Sequence, residues 1–204
     1  MKIVGDGKFG TFLKEFFDET TASGRKYHPE LFQDIDFESL VILAVPFSAY
    51  EEVAKENEGK HLVNVCSVQE ETNKICLKYS DRVTGIHPMF GPRSPEDSRV
   101  CILTHISEDA SAADLFLKSG CGVIAKTPGG DRITGKWHDK LMANTHAKAI
   151  SIANFIKPLV KESWDIDDVY LPASVQKLKE VLWQLGDMSP GTLESIKANK
   201  YIDL

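Results

Sequence analysis

Met1-Lys2-Ile3-Val4-Gly5-Asp6-Gly7-Lys8-Phe9-Gly10 opens the chain, and the reading of this decapeptide decides the fold. Four residues of strand character run straight into a G-x-G-x-x-G turn. The turn opens an amphipathic stretch over about residues 9–18, with Phe9, Phe12, Leu13, Phe16 and Phe17 on one face. The three glycines meet separate physical demands. The first makes the tight turn, the second lets backbone approach a pyrophosphate, and the third lets helix pack on strand. A phosphate held there faces a helix N-terminus, where unpaired N–H groups and the helix dipole favour negative charge. Glycine-rich turns also occur as plain connections. Between a strand and an amphipathic helix, this one is read as a dinucleotide site.

Outward from this turn the same alternation continues. Residues 40–45, Leu-Val-Ile-Leu-Ala-Val, form an apolar run ended by Pro46, the pattern of a strand covered on both faces. Further strands are expected at 20–23, 61–65, 82–86, 100–104 and 122–126, with helices over 48–55 and 70–79. Strands alternating with helices at this spacing give an α/β fold, a Rossmann-like doubly wound and mostly parallel sheet. Beyond Pro128-Gly129-Gly130 the pattern turns helical, over 137–156, 174–185 and 190–198. The expected organisation is a dinucleotide-binding domain over 1–130 and a small all-helical dimerisation and substrate-closing domain over 131–204.

The 204 residues carry a formal net charge of −6, without the clustered basic face that nucleic-acid phosphates require. No apolar run reaches the length of a membrane span, and the opening strand leaves no room for a signal peptide. Cys66, Cys76, Cys101 and Cys121 show neither metal-ligand nor paired spacing, so no metal is expected and the cysteines read as reduced and buried in a cytoplasmic protein.

An NAD site carries an acidic residue about twenty positions after the turn, at the end of the second strand, for the ribose 2′-hydroxyl. Here that stretch is Thr21-Ala22-Ser23-Gly24-Arg25-Lys26, with no acid before Glu30. Ser23, Arg25 and Lys26 suit a 2′-phosphate, which points to NADP rather than NAD. Val45 and Pro46, at the end of the next apolar strand, join Gly5, Gly7, Lys8, Phe9 and Gly10 as expected cofactor contacts. Parallel sheets collect ligands beyond the carboxyl ends of their strands, so Ser67 and His87 belong to the same crevice.

Four stretches make the chain resemble the prephenate/arogenate dehydrogenase family of tyrosine biosynthesis: residues 41–46, Asn64-Val65-Cys66-Ser67-Val68-Gln69, Gly85-Ile86-His87-Pro88-Met89-Phe90-Gly91-Pro92, and His138-Asp139. The His-Pro-Met-Phe-Gly-Pro hexapeptide looks most like plant-type arogenate dehydrogenases. The resemblance covers about residues 1–156 and implies oxidative decarboxylation of a cyclohexadienol, a homodimer formed through the helical domain, and His87 as the catalytic histidine at the ring hydroxyl. It implies that Ser67 hydrogen-bonds that histidine and the substrate.

The chain also departs from the family's pattern. Asn64 and Gln69 stand where the family has aspartate and lysine, no arginine follows Arg132, and the family's second helical histidine falls on Ile150, with His146 one turn earlier. Arg93, His138 and His146 are the candidate substrate contacts, with Lys177 or Lys179 able to take the missing arginine's part. Two other readings stay open: a related reductase or dehydrogenase acting on another small acid or imine, and a non-catalytic nucleotide-binding dimer.

Overall fold

The computed structural model describes the backbone at residues 1–107, 109–163, 165–186 and 190–202, and the side chains there except at 23–27, 161–163, 183–184, 186 and 190–192. Two compact units divide the chain, Met1–Asp139 and Lys140–Leu204. The division comes later than the change of sequence character near residue 130.

The first unit is built on six strands, β1 (Lys2–Val4), β2 (Leu40–Leu43), β3 (His61–Asn64), β4 (Val83–Pro88), β5 (Val100–Ile106) and β6 (Gly122–Ile124). They lie side by side in sequence order. β1 to β4 are parallel, β5 reverses direction against β4, and β6 is parallel to β5. Helices α1 (Lys8–Tyr27), α2 (Tyr50–Glu56), α3 (Glu70–Tyr79) and α4 (Ser111–Lys118) connect them, and α5 (Gly135–Met142) follows the last strand.

Alternate residues of a strand face opposite sides of the sheet. On one side Leu40, Ile42, Val63 and Ile86 pack with Leu13, Phe16 and Phe17 of α1 and with Leu115 and Phe116 of α4. The Phe17 and Phe116 rings meet edge to face at 5.1 Å, a preferred aromatic geometry. The opposite side is covered by α2 and α3, where the Tyr50 hydroxyl donates to the Leu43 carbonyl at 2.8 Å. Burial on both sides explains why β2 and β3 are buried at every position.

Three sequence expectations are corrected. Residues 20–23 form no strand, because α1 continues unbroken to Tyr27. The Thr20 and Thr21 hydroxyls donate back to the Phe16 and Phe17 carbonyls, so side chains with strand character sit on the helix. β1 is consequently an edge strand. Helix α4 has no counterpart among the expected elements, and the 122–126 strand is shorter than expected.

The second unit contains the end of α5, a π-helical turn over Ala143–Ala147, α6 (Lys148–Ile156), α7 (Ala173–Gly186) and α8 (Pro190–Ala198). Ile150, Ala153 and Leu182 are buried within it, while Phe155, Leu159, Val169 and Tyr170 are exposed. Among the described residues no helix is long and apolar enough to cross a membrane. All four cysteines are buried, and none is joined in a disulfide.

His61 lies fully buried at the start of β3, with Nε2 2.9 Å from the Thr84 hydroxyl and Nδ1 3.3 Å from Asp109 Oδ2. Burial pushes its pKa below the usual value, against the pull of Asp109. The unfolded chain therefore takes up the proton first, and this contribution to stability is present above the unfolded pKa, about 6.5, and is lost as pH falls. Burial also lowers His105 and His146. The melting temperature, followed by differential scanning fluorimetry, is expected to decline from pH 7 to pH 5, and less steeply in His61→Gln. A flat profile in the parent protein would contradict this.

Candidate active site

In the parallel register Val4 lies beside Leu43, Leu43 beside Asn64, and Asn64 beside Gly85. The next residues along these four strands therefore emerge at one edge of the first unit: the glycine turn, then Ala44 to Pro46, then Ser67, then His87. Three strand spacings, about 14 Å, separate the first from the last.

The turn meets the demands of a phosphate cradle. Gly5 has φ +128°, and a Cβ there would overlap the Ala44 carbonyl oxygen. A Cβ on Gly10 would lie 2.5 Å from the Gly5 carbonyl oxygen. Both glycines are required by close backbone packing. A Cβ on Gly7 would meet nothing within 4 Å, so this glycine borders open space where the α1 N-terminus presents its amides. No acidic residue occupies the first turn of α1. Lys8 is exposed, Phe9 and Val45 half-buried, and Pro46 exposed. These residues fit a pyrophosphate.

The expected 2′-phosphate contacts have their backbone in α1 rather than at the end of a second strand. The sequence puts Ser23, Arg25 and Lys26 on a loop after a second strand, but their backbone forms the last turns of α1; their side chains lie outside the described residues. At 1.5 Å per residue, Arg25 is about 25 Å along the helix axis from Lys8.

On the α3 side of the sheet, His87 is half-buried near the end of β4. Its Nδ1 lies 2.9 Å from Nε2 of His138, with the two rings at 88°. His138 is fully buried, and its Nδ1 lies 2.9 Å from Asp139 Oδ1. Asp139 also accepts the main-chain N–H of Gln69 on Oδ1 at 2.8 Å and that of Glu70 on Oδ2 at 2.9 Å. The carboxylate thus closes the N-terminus of α3, satisfying two helix-end donors and complementing the dipole. Gly135 makes the approach possible, since a Cβ there would lie 2.8 Å from the Glu70 backbone. His138 is expected at the substrate from sequence; it is instead buried behind His87. In the sequence Asp139 is only part of a motif, and its role depends on contacts 69 to 70 residues away along the chain.

Asn64 and Gln69, the departures from the family pattern, are fully buried. The Asn64 amide donates to Thr72 Oγ1 at 2.7 Å and Asn73 Oδ1 at 2.8 Å, while its Oδ1 accepts the Cys66 N–H at 2.9 Å. Gln69 donates to the Cys66 carbonyl at 2.5 Å and accepts from the Thr104 hydroxyl at 2.5 Å. These amides brace the 64–69 loop against α3 and β5. Gly85 belongs to the same assembly, because a Cβ there would overlap Asn73 Oδ1. Ser67 is half-buried within the braced loop and Arg93 is exposed in the loop after β4.

In the second unit, His146 sits in the π-helical turn and is half-buried. Lys179 is engaged within that unit, donating to Asp168 Oδ1 at 2.6 Å and the Ile166 carbonyl at 3.2 Å, and Lys177 is exposed. Among the described residues no group of three or more His, Cys, Asp or Glu is placed to hold a metal.

No family model matches the chain. Over 146 residues it is 31% identical to a probable arogenate/prephenate dehydrogenase of Methanocaldococcus jannaschii, a match over 61% of this chain and 31% of that protein. The chain therefore spans under a third of this curated relative. Among solved structures it is similar to prephenate dehydrogenase from A. aeolicus in complex with hydroxyphenyl propionate and NAD+, with a TM-score of 0.65 at 14% identity, over 98% of this chain and 82% of that one. A putative prephenate dehydrogenase from Corynebacterium glutamicum gives 0.64 at 16%, over 98% and 74%. Synechocystis arogenate dehydrogenase gives 0.54 at 15%, over 98% and 86%. These likenesses are of fold, a mostly parallel α/β sheet followed by helices, and in sequence the chain resembles the probable arogenate/prephenate dehydrogenase over the matched residues.

The glycine turn offers a contrast. Gly5→Ala is expected to cost about 2 to 4 kcal/mol through positive φ and backbone overlap, lowering the melting temperature by roughly 5 to 15 °C. Gly7→Ala is expected to melt within about 1 °C of the parent while weakening dinucleotide binding at least about tenfold, because its methyl would enter the ligand's space. Equal melting of the two variants would refute the cradle geometry.

Proposed function

We propose that the protein is a nicotinamide-dinucleotide-dependent dehydrogenase of the prephenate/arogenate type, oxidising and decarboxylating a cyclohexadienol in tyrosine biosynthesis. The observation carrying this reading is the alignment of the glycine cradle and His87 along one edge of the parallel sheet, with the hexapeptide that resembles the family. When bound, the nicotinamide supplies the hydride acceptor of the reaction.

The chain's own groups do the rest. Main-chain amides at Gly7 to Gly10 hold the pyrophosphate, and Val45 and Pro46 border the cofactor at the end of β2. His87 takes the proton of the ring hydroxyl as its carbonyl develops, which lets hydride depart from the same carbon. Loss of the substrate carboxylate as carbon dioxide leaves its electron pair in the ring, and the carbonyl regains a proton from His87 as the ring becomes aromatic. Ser67 contributes a hydroxyl to the substrate, and Arg93 is the proposed carboxylate contact. Four buried thiols outside any disulfide fit a reducing compartment, the cytoplasm. Exposed Phe155, Leu159, Val169 and Tyr170 in the second unit supply the apolar surface for a homodimer.

NADP preference depends on Ser23, Arg25 and Lys26 lying at a strand end. The backbone that carries them is instead the end of α1, with Arg25 about 25 Å along the helix axis from Lys8. We propose that both dinucleotides serve.

Purified protein is expected to reduce either cofactor in the presence of arogenate or prephenate. His87→Asn is expected to lower kcat by about a hundredfold or more, with dinucleotide affinity within about twofold of the parent. Retained turnover would remove His87 from the chemistry. NADPH and NADH dissociation constants, read by fluorescence titration, are expected within about fivefold of each other. A ratio far beyond that would reinstate a specific 2′ contact. Multi-angle light scattering is expected to give a dimer; a monomer at micromolar concentration would leave the exposed apolar residues unexplained.

A further inference from the structure

The contacts of His87 run inward through two more side chains, and each has a fixed sense. A carboxylate only accepts hydrogen bonds. Asp139 accepts two main-chain N–H groups from the start of α3 and faces Nδ1 of His138 at 2.9 Å, so that nitrogen carries a proton. In a neutral imidazole the other nitrogen is then an acceptor. Nε2 of His138 faces His87 Nδ1 at 2.9 Å, so the proton between the rings belongs to His87. His87 Nδ1 is the donor, and its Nε2 carries a lone pair.

We propose that Asp139 and His138 are positioning residues that hold His87 in its Nδ1–H tautomer and thereby make Nε2 the proton acceptor of the site. The inference deepens the dehydrogenase reading and rests on it for its catalytic consequence, though not for the tautomer itself. When the substrate O–H bond breaks, its proton binds His87 Nε2, and the resulting imidazolium keeps its Nδ1–H directed at His138. The two buried residues touch neither substrate nor cofactor. Two features make the arrangement rigid. Asp139 is fixed by the α3 amides, which limits its freedom to turn from His138. The crowded approach of Gly135 to Glu70 ties the start of α5 to the start of α3. A histidine lacking such support would divide its population between two tautomers, one of them with a donor where an acceptor is needed.

The test is made on the protein labelled with 15N. Histidine ring spectra, with the His87 signals assigned by loss in His87→Asn, report which nitrogen is protonated. The expected parent spectrum at pH 8 shows His87 protonated at Nδ1 and bare at Nε2. Asp139→Asn leaves one amide oxygen for the three donors that face the carboxylate and sets an amide N–H against one of them, so the His138 Nδ1–H is held less firmly and the fraction of His87 protonated at Nε2 is expected to rise. His138→Gln keeps an acceptor for Nδ1–H and is expected to retain the parent tautomer, whereas His138→Leu is expected to lose the preference.

In turnover, His138→Leu and Asp139→Asn are expected to lower kcat by about a hundredfold with KM for the dinucleotide nearly unchanged, and His138→Gln by about tenfold or less. Circular dichroism and melting confirm that each variant is folded; should Asp139→Asn fail to fold, the Gln and Leu pair at 138 decides alone. An Nε2–H tautomer in the parent, or the same tautomer in folded Gln and Leu variants, would overturn the proposal. Absence of turnover in the parent with the expected tautomer would instead overturn the dehydrogenase reading and leave the relay standing.

Discussion

Two main-chain N–H groups at the start of α3 converge on the carboxylate of Asp139, and much of the first unit depends on that meeting. A helix N-terminus buried in a protein must find acceptors for its free donors, and a buried carboxylate must find donors for its oxygens. Each satisfies the other here. The contact ties the end of this unit to the loop after β3, and it orients His138, which in turn meets His87. Removing either partner would leave the other buried and unmatched, a cost on the order of a few kcal/mol.

The cradle at the other end of the strand edge is governed by steric limits rather than charge. Gly5 and Gly10 are crowded by backbone, whereas Gly7 borders open space. That contrast separates glycines needed for backbone packing from a glycine that packing does not require. Between cradle and histidine lies the amide network of Asn64 and Gln69, which fixes the loop bearing Ser67. Neutral amides at these two positions form a buried brace, where an unpaired charge would be expensive.

Most of the strands and the helices over 48–55 and 70–79 are legible because apolar runs and amphipathic spacing reflect burial directly. The stretch at 20–23 misleads. Two threonines and an alanine permit either state, and the outcome follows from continuation of α1, whose Phe16 and Phe17 anchor it on the sheet. Helix α4 escapes notice because it is only eight residues long, little more than two turns in which to count a period. The glycine turn and the hexapeptide point to the crevice from local spacing alone. The pairing of His87 with His138, and of Asp139 with α3, leaves no such trace, since partners 51 to 70 residues apart share no periodicity.

By itself the sequence determined the G-x-G-x-x-G turn, the parallel alternation and the identity of His87 as the residue to watch, because each is written in neighbouring positions. Tertiary structure decided the rest. The position of β1 at the sheet edge, the distance of Arg25 from the cradle and the inward role of His138 depend on where the chain returns after long separations. Local propensity carries no term for that distance; packing and the matching of buried donors to acceptors do.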